Sequence, residues 1–255
     1  GPFGFLPTDP EVLQAECTKR GIRVVAGTQF GILHRPEAWE QTEREMRANA
    51  SVLKAIGAHH LVYLPPMLRD LQTGGWAEDP NLSDADWKLL AGNANRLGKL
   101  LKEDYDVTMV VHPHGDSHIE NREQIDRFFA ETDPEYVSFC LDTGHLEYGE
   151  VDTVDLIRSY PDRIGLVHIK QMDPEVVQRV RRENLSFGEA VSLGVCVTPD
   201  AGQPKVGAVI DALAALDKEL YVIVEQDLYP CAPDVPLPLA IETRRVLADN
   251  HLGIH

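Results

Sequence analysis

Six short apolar blocks, separated by stretches of helical period, constrain this chain more than any other feature. They cover residues 22–26, 61–64, 107–111, 137–142, 164–169 and 221–224. Blocks of this length are too short for helices, and most are apolar throughout rather than alternating. Such runs suit strands covered on both faces, as in a parallel sheet. Between them the sequence supplies helix starts and stops. Asp9-Pro10 and Pro36 open helices, Ser83-Asp84-Ala85-Asp86 reads as a capping box, and Gly21 and Gly57 close helices. Trp87, Leu90, Ala91, Ala94, Leu97 and Leu101 keep a helical period, as do Val206, Val209, Ile210, Leu213 and Leu216. Further helices are expected around Ile125, Phe128 and Phe129, over 154–159, over 175–193 in two pieces, and over 238–250.

Strict alternation of strand and helix predicts a parallel sheet covered by helices. A length of 255 residues suits one α/β barrel or two small domains, and with no linker or composition break a single (β/α)8 TIM-barrel domain over 1–255 is expected. The six blocks and a strand stub at residues 1–5 fall short of eight strands, so the first βα unit is expected to be absent from the chain. An open doubly wound sheet is the alternative.

The polar residues that end the strands carry the functional reading. In a parallel barrel the C-terminal strand ends converge on one face, where the chemistry of such folds is built. Four blocks run into potential ligands there: His112, Asp142, His168 and Glu225. Two imidazoles and two carboxylates make a mixed nitrogen and oxygen set, suited to Mn²⁺, Co²⁺, Fe²⁺ or Zn²⁺ rather than a thiolate-loving ion. Each residue also has a plainer reading. A strand-end histidine is more often a hydrogen-bonded core residue, Glu225 could answer a helix dipole, and Asp142 with His145 could be a helix cap followed by a surface histidine. Four such residues on successive strands favour the ligand reading. Thr143 and Gly144 are expected to turn the chain after Asp142. The period of two in a strand adds His114, Lys170 and Asp227 to the same faces. His114 and Lys170 are candidate proton carriers with Glu225, and a salt bridge from Lys170 to Asp227 or Asp142 is the structural alternative. His145, Arg163 and Trp76 are candidates for substrate contact. Arg163, just before a strand, has a structural reading as well, and Trp76 sits in the long 65–82 loop where a lid would lie.

Other function classes are poorly served. A net charge of −17 argues against nucleic acid. No apolar run is long enough to span a membrane, and no signal peptide is expected from the opening residues. Cys17, Cys140, Cys196 and Cys231 share no metal or redox spacing, which fits a reducing cytoplasm. Gly144 belongs to no dinucleotide fingerprint, and there is no serine nucleophile elbow.

The segments Val-His112-Pro-His114-Gly, Leu-Asp142-Thr-Gly-His145, Arg163-Ile-Gly-Leu-Val-His168-Ile-Lys170 and Val-Glu225-Gln-Asp227 resemble the sugar phosphate isomerase/epimerase superfamily of xylose-isomerase-like TIM barrels. Within it the inosose (2-keto-myo-inositol) dehydratase branch is most similar. Arg181-Arg-Glu-Asn-Leu-Ser-Phe-Gly-Glu-Ala and the Asp84-Ala-Asp-Trp helix start share that likeness. The resemblance implies a divalent metal, Mn²⁺ first among the candidates, at His112, Asp142, His168 and Glu225. It implies proton abstraction beside the carbonyl of a keto-sugar or cyclitol, with loss of water to follow. Isomerisation, epimerisation and elimination of a keto-glycoside share the first step. An apurinic-endonuclease-like phosphodiesterase and a non-catalytic sugar-binding subunit are the rivals from other classes. A homo-oligomer is expected. Two departures bear on the substrate: Gln171 stands where the branch usually has Asp, and Asp200-Ala-Gly-Gln-Pro204 replaces a glycine-rich turn.

Overall fold

The computed structural model describes residues 6–253, so the strand stub expected at 1–5 lies outside the described residues. The chain forms two compact units.

The first unit takes the described residues up to Pro66, with Asn81–His112 and Glu123–Cys140. Helix α1 (Pro10–Lys19) begins where the Asp9 carboxylate accepts the Glu11 and Val12 amides, at 2.9 and 3.1 Å. Strand β1 (Ala26–Phe30) follows. A 3-10 turn (Pro36–Ala38) leads into α2 (Trp39–Ile56), which stops at Gly57 with φ of 70°. Next come β2 (His60–Leu64), α3 (Asp84–Tyr105), β3 (Thr108–Val111), α4 (Arg122–Glu131) and β4 (Val137–Asp142). The capping box at Ser83 and Asp86 forms, and α3 buries the apolar face that its period predicts. β1, β2, β3 and β4 pair in parallel, with Tyr63 opposite both Gln29 and Val111, and Val111 opposite Phe139.

The first strand corrects the sequence reading. It begins at Ala26, where the apolar block at 22–26 ends, and Ile22 is exposed. Close approach to α2 sets its place. A Cβ on Gly27 would lie 2.5 Å from Asn49 Oδ1, and the Asn49 amide donates to the Thr28 carbonyl at 3.0 Å. Apolar content alone did not mark this seat.

The second unit takes Met67–Pro80, Pro113–Arg122 and the chain from Leu141 onward. It holds α5 (Thr143–Tyr148), α6 (Thr153–Ser159), β5 (Ile164–Ile169), β6 (Gln171–Met172), α7 (Pro174–Glu183), α8 (Phe187–Ser192), β7 (Cys196–Val197), α9 (Val206–Ala214), β8 (Val222–Val224) and α10 (Pro236–Asp249). No turn separates β4 from α5: Thr143 is already helical, because Asp142 caps the helix directly. The antiparallel pair β6–β7 was not expected, since two-residue strands leave no periodic signal. It closes over Tyr148, Val177, Val180, Phe187 and Ala190, which pack with Met172 and Cys196.

Within the first unit the strand order is β1-β2-β3-β4, and within the second β5 and β8 pair in parallel. Parallel strands in sequence order, each crossover carrying helix, give an α/β fold of the TIM-barrel type. Among the described residues no helix is long and apolar enough to cross a membrane.

Candidate metal centre

Three strand ends of the second unit supply the centre. Asp142 closes β4 and is fully buried. Its Oδ1 accepts the Gly144 and His145 amides at 2.9 Å each, which caps α5. Its Oδ2 lies 3.5 Å from both His168 Nδ1 and Lys170 Nζ. The helix-cap reading and the ligand reading therefore use different oxygens of one carboxylate. His168, in β5, also places Nδ1 3.4 Å from Glu225 Oε1. Glu225 follows β8, and its amide donates to the Ile169 carbonyl at 3.1 Å, which brings it beside Lys170. His112 directly follows β3 in the first unit and is buried. The donors gathered in the second unit, the His168 imidazole and the Asp142 and Glu225 carboxylates, suit a borderline divalent cation.

Lys170 is almost wholly buried. Its Nζ meets Glu225 Oε2 at 2.9 Å, Asp227 Oδ2 at 3.1 Å and Asp142 Oδ2 at 3.5 Å, so the salt bridge offered as the structural alternative forms, to Asp227 and Asp142 alike and to Glu225 as well. Burial by itself would lower its pKa, but the charges of Asp142, Glu225 and Asp227 outweigh burial and hold it well above the usual lysine value. Burial would raise Glu225, yet the Lys170 charge and the His168 hydrogen bond bring it down to about 2. Cys196 lies near Asp227, and burial and that carboxylate push its thiol up to about 12, so it offers no thiolate. The seat of Lys170 is built by the residues after Asp142. Thr143 Oγ1 accepts the Lys170 amide at 2.9 Å and donates to the Lys170 carbonyl at 2.5 Å. A Cβ on Gly144 would meet the Lys170 stem at 2.5 Å.

A histidine and aromatic wall adjoins Lys170. His145 is 1 % exposed, not a surface residue, and its Nε2 sits 3.1 Å from Lys170 Nζ. Its Nδ1 accepts the Gly115 amide at 3.0 Å. His114 stacks on His145 with ring centroids 4.0 Å apart, and its Nδ1 donates to the Gly115 carbonyl at 2.7 Å. The Phe187 ring faces both, at 4.9 and 4.8 Å. Arg163 is buried just before the first residue of β5, at the opposite end of that strand from His168. Trp76 is exposed over the Arg69 guanidinium, 5.1 Å from ring centroid to Cζ. Sequence reading missed Phe187, the Thr143 hydroxyl and the Arg69–Asp116 ion pair. Only the position of Thr143 between Asp142 and Gly144 could have flagged one of them.

Comparison with known proteins agrees with this architecture. The family model described as xylose isomerase-like TIM barrel matches residues 2–247. The inosose dehydratase of Geobacillus thermodenitrificans is 30 % identical over 247 residues, covering 96 % of this chain and 82 % of that protein. The inosose dehydratase of Clostridium tetani is 30 % identical over 254 residues, with the same coverage. Among solved structures, the IOLI protein with a bound zinc atom superposes with a TM-score of 0.71 at 15 % identity, covering 93 % of this chain and 80 % of that one. The Escherichia coli 3-keto-D-glucoside 4-epimerase YcjR gives 0.67 at 17 %, covering 95 % and 84 %. These two likenesses bear on the fold. With the match to the family model, the chain belongs to the xylose isomerase-like TIM-barrel family and is an enzyme of it.

Proposed function

We propose that this protein is a divalent-metal-dependent dehydratase of a keto-cyclitol of the inosose class, with His112, Asp142, His168 and Glu225 as ligands. The observation that carries the reading is Lys170, a buried and protonated lysine among Asp142, Glu225 and Asp227, on the rim of the donor set. The 30 % identity to inosose dehydratases supports dehydration over the other outcomes of the same first step. A bound divalent ion, Mn²⁺ first among the candidates, would polarise a substrate carbonyl and acidify the adjacent carbon.

The side chains divide the remaining work. A carbonyl oxygen only accepts, so His114 carries its hydrogen on Nδ1, toward Gly115, and keeps a lone pair on Nε2. That atom serves as the base. The Lys170 ammonium stabilises negative charge on the substrate oxygen and then protonates the departing hydroxyl. The amine it becomes has a lone pair, and His145 Nε2, 3.1 Å away, presents the hydrogen that this lone pair accepts. His145 thus supports the proton-transfer product. Trp76 is assigned to the substrate rim, whereas Arg163, at the far end of β5, is assigned a structural role.

The two departures from the dehydratase pattern touch each other. A Cβ on Gly202, in the 200–204 turn, would lie 2.8 Å from Gln171 Cβ. They form one packing unit, so they adjust the substrate rim together.

The test is incubation of the metal-supplemented protein with 2-keto-myo-inositol and other keto-cyclitols, followed by mass spectrometry. Loss of one water, abolished by a chelator and restored by Mn²⁺, Co²⁺ or Zn²⁺, is the expected result. Metal-dependent solvent deuterium uptake with an inverted or isomerised product, and no loss of water, would replace dehydration with epimerisation or isomerisation.

A further inference from the structure

The Arg69–Asp116 ion pair lies outside the donor set and the proton carriers, and both side chains are at least nine-tenths buried. Arg69 donates from Nε and Nη2 to Asp116 Oδ1 at 3.1 and 2.8 Å. It also donates from Nη1 to the Asn184 carbonyl and from Nη2 to the Leu185 carbonyl, at 2.9 Å each. The other Asp116 oxygen accepts the Phe187 amide at 2.6 Å. The Asp116 backbone is engaged as well: its amide donates to Glu120 Oε2 at 2.8 Å, and its carbonyl accepts the Leu68 amide at 2.6 Å. Asp116 holds a left-handed φ of 57°. One residue thereby fastens the segment that follows β2, the turn after β3 and the start of α8.

We propose that Arg69 and Asp116 are positioning residues that orient the His114–His145–Phe187 wall and fix the His145 tautomer toward Lys170. This rests on the functional reading above, in which His145 faces a lysine that transfers a proton. Two short paths connect the pair to His145. Through Phe187, whose amide Asp116 holds, the ring packs 4.8 Å from His145 and 4.9 Å from His114. Through the backbone, Asp116 fixes the turn in which Gly115 donates its amide to His145 Nδ1 at 3.0 Å. A backbone amide can only donate, so Nδ1 must present a lone pair and the His145 hydrogen must sit on Nε2, which faces Lys170 Nζ at 3.1 Å as a donor beside a donor until that ammonium gives up its proton. Loosening Asp116 frees Gly115, and the imidazole can then exchange its two neutral tautomers. A buried ion pair is by itself weak evidence for stability, so the consequence expected here is geometric.

The experiment uses the full chain labelled with ¹⁵N-histidine, with and without Zn²⁺, and His145→Gln to assign the signals. In the unsubstituted protein the His145 nitrogens should show one protonated Nε2 and one unprotonated Nδ1, with the Gly115 amide protected from hydrogen exchange. Asp116→Asn should mix the tautomers and lower that protection about tenfold or more, with Zn²⁺ stoichiometry retained. Turnover of a keto-cyclitol should fall about 10- to 100-fold, in kcat more than in KM, as for supporting shells of other metal sites. Arg69→Gln should act in the same direction, and Arg69→Lys should recover part of the loss. If Asp116→Asn does not fold, the unsubstituted tautomer and the Arg69→Gln spectrum decide. An Nδ1–H tautomer in the unsubstituted protein overturns the proposal. So do unchanged His145 shifts and Gly115 exchange in the variants. Absence of keto-cyclitol turnover with the expected spectra removes the substrate assignment and leaves the positioning role standing.

Discussion

Gly144→Ala tests whether the turn of chain after Asp142 is the seat of Lys170. The added Cβ would lie 2.5, 2.8 and 2.9 Å from Lys170 Cγ, Cδ and Cβ. Ordinary carbon contacts are about 3.5–4.0 Å, so the overlap is close to an ångström. Lys170 has little freedom to yield. Thr143 Oγ1 holds its amide at 2.9 Å, and its Nζ sits 2.9 Å from Glu225 and 3.1 Å from Asp227. If the start of α5 shifts instead, overpacking costs about 1–3 kcal/mol. If the ammonium leaves its carboxylates, the broken buried ion pair costs about 3–5 kcal/mol. Alanine's better helix propensity returns at most about 1 kcal/mol. A net loss of up to about 3 kcal/mol by the first route, or about 2–5 kcal/mol by the second, is therefore expected, read by urea unfolding with far-ultraviolet circular dichroism. Combining the change with Lys170→Ala removes the 2.5 and 2.8 Å overlaps and leaves only the 2.9 Å contact to Cβ. The coupling energy between the two sites should then reach about 1–3 kcal/mol. An equal cost of Gly144→Ala in both backgrounds would refute the seat, and so would a single variant as stable as the parent with full turnover.

Asp142→Ala and His168→Ala should each lose bound metal by elemental analysis, and Glu225→Ala should lose metal and turnover together; full occupancy in any of them removes that residue from the ligand set. His114→Ala and Lys170→Ala should retain metal but lose about 10²- to 10⁴-fold in turnover. Solvent deuterium exchange beside the ketone separates these two roles: it should stop in the His114 variant and continue in the Lys170 variant. Glu120 is raised to about 7, by burial first and by the Asp116 charge, against the favourable amide of Asp116. The folded protein thus keeps a proton that the unfolded chain releases from about pH 4.5 upward. This contribution is favourable below that value and is lost as pH rises to about 7, by at most about 3 kcal/mol. Glu120→Gln should flatten the fall in stability across that window; an unchanged pH profile would show that Glu120 ionises freely in the fold.

The strands were legible because an apolar run that stops at a polar residue reports burial and a rim together. Val137 to Leu141 ending at Asp142 carries that pattern, as does Ile164 to Val167 ending at His168. The same signal misplaced the first strand, whose position is set by the tertiary contact of Gly27 with Asn49 and not by apolar content. The supporting residues were illegible for a different reason. Asp116 meets Arg69 across 47 residues and Phe187 across 71, and Arg69 and Asp116 sit in loops with no period. A loop residue shows its role only once the chain has brought its partner to it.

Asp142 shows why a choice between cap and ligand was too narrow. A carboxylate at a strand end that begins a helix has two oxygens facing different ways. The helix takes Oδ1 through two amides, which fixes the side chain without using its second oxygen. Oδ2 is then directed at His168 and Lys170 by a residue with no rotamer left to search. Capping is thus what organises the ligand beforehand, and the entropy of ordering Asp142 is spent on folding α5 rather than on binding. The same economy holds one residue later: Thr143 bonds the backbone of Lys170, so the strand-to-helix junction that orients the carboxylate also seats the ammonium beside it. A shift of this junction would move both groups at once, and for that reason Gly144→Ala should impair catalysis more severely than its cost in stability alone would suggest.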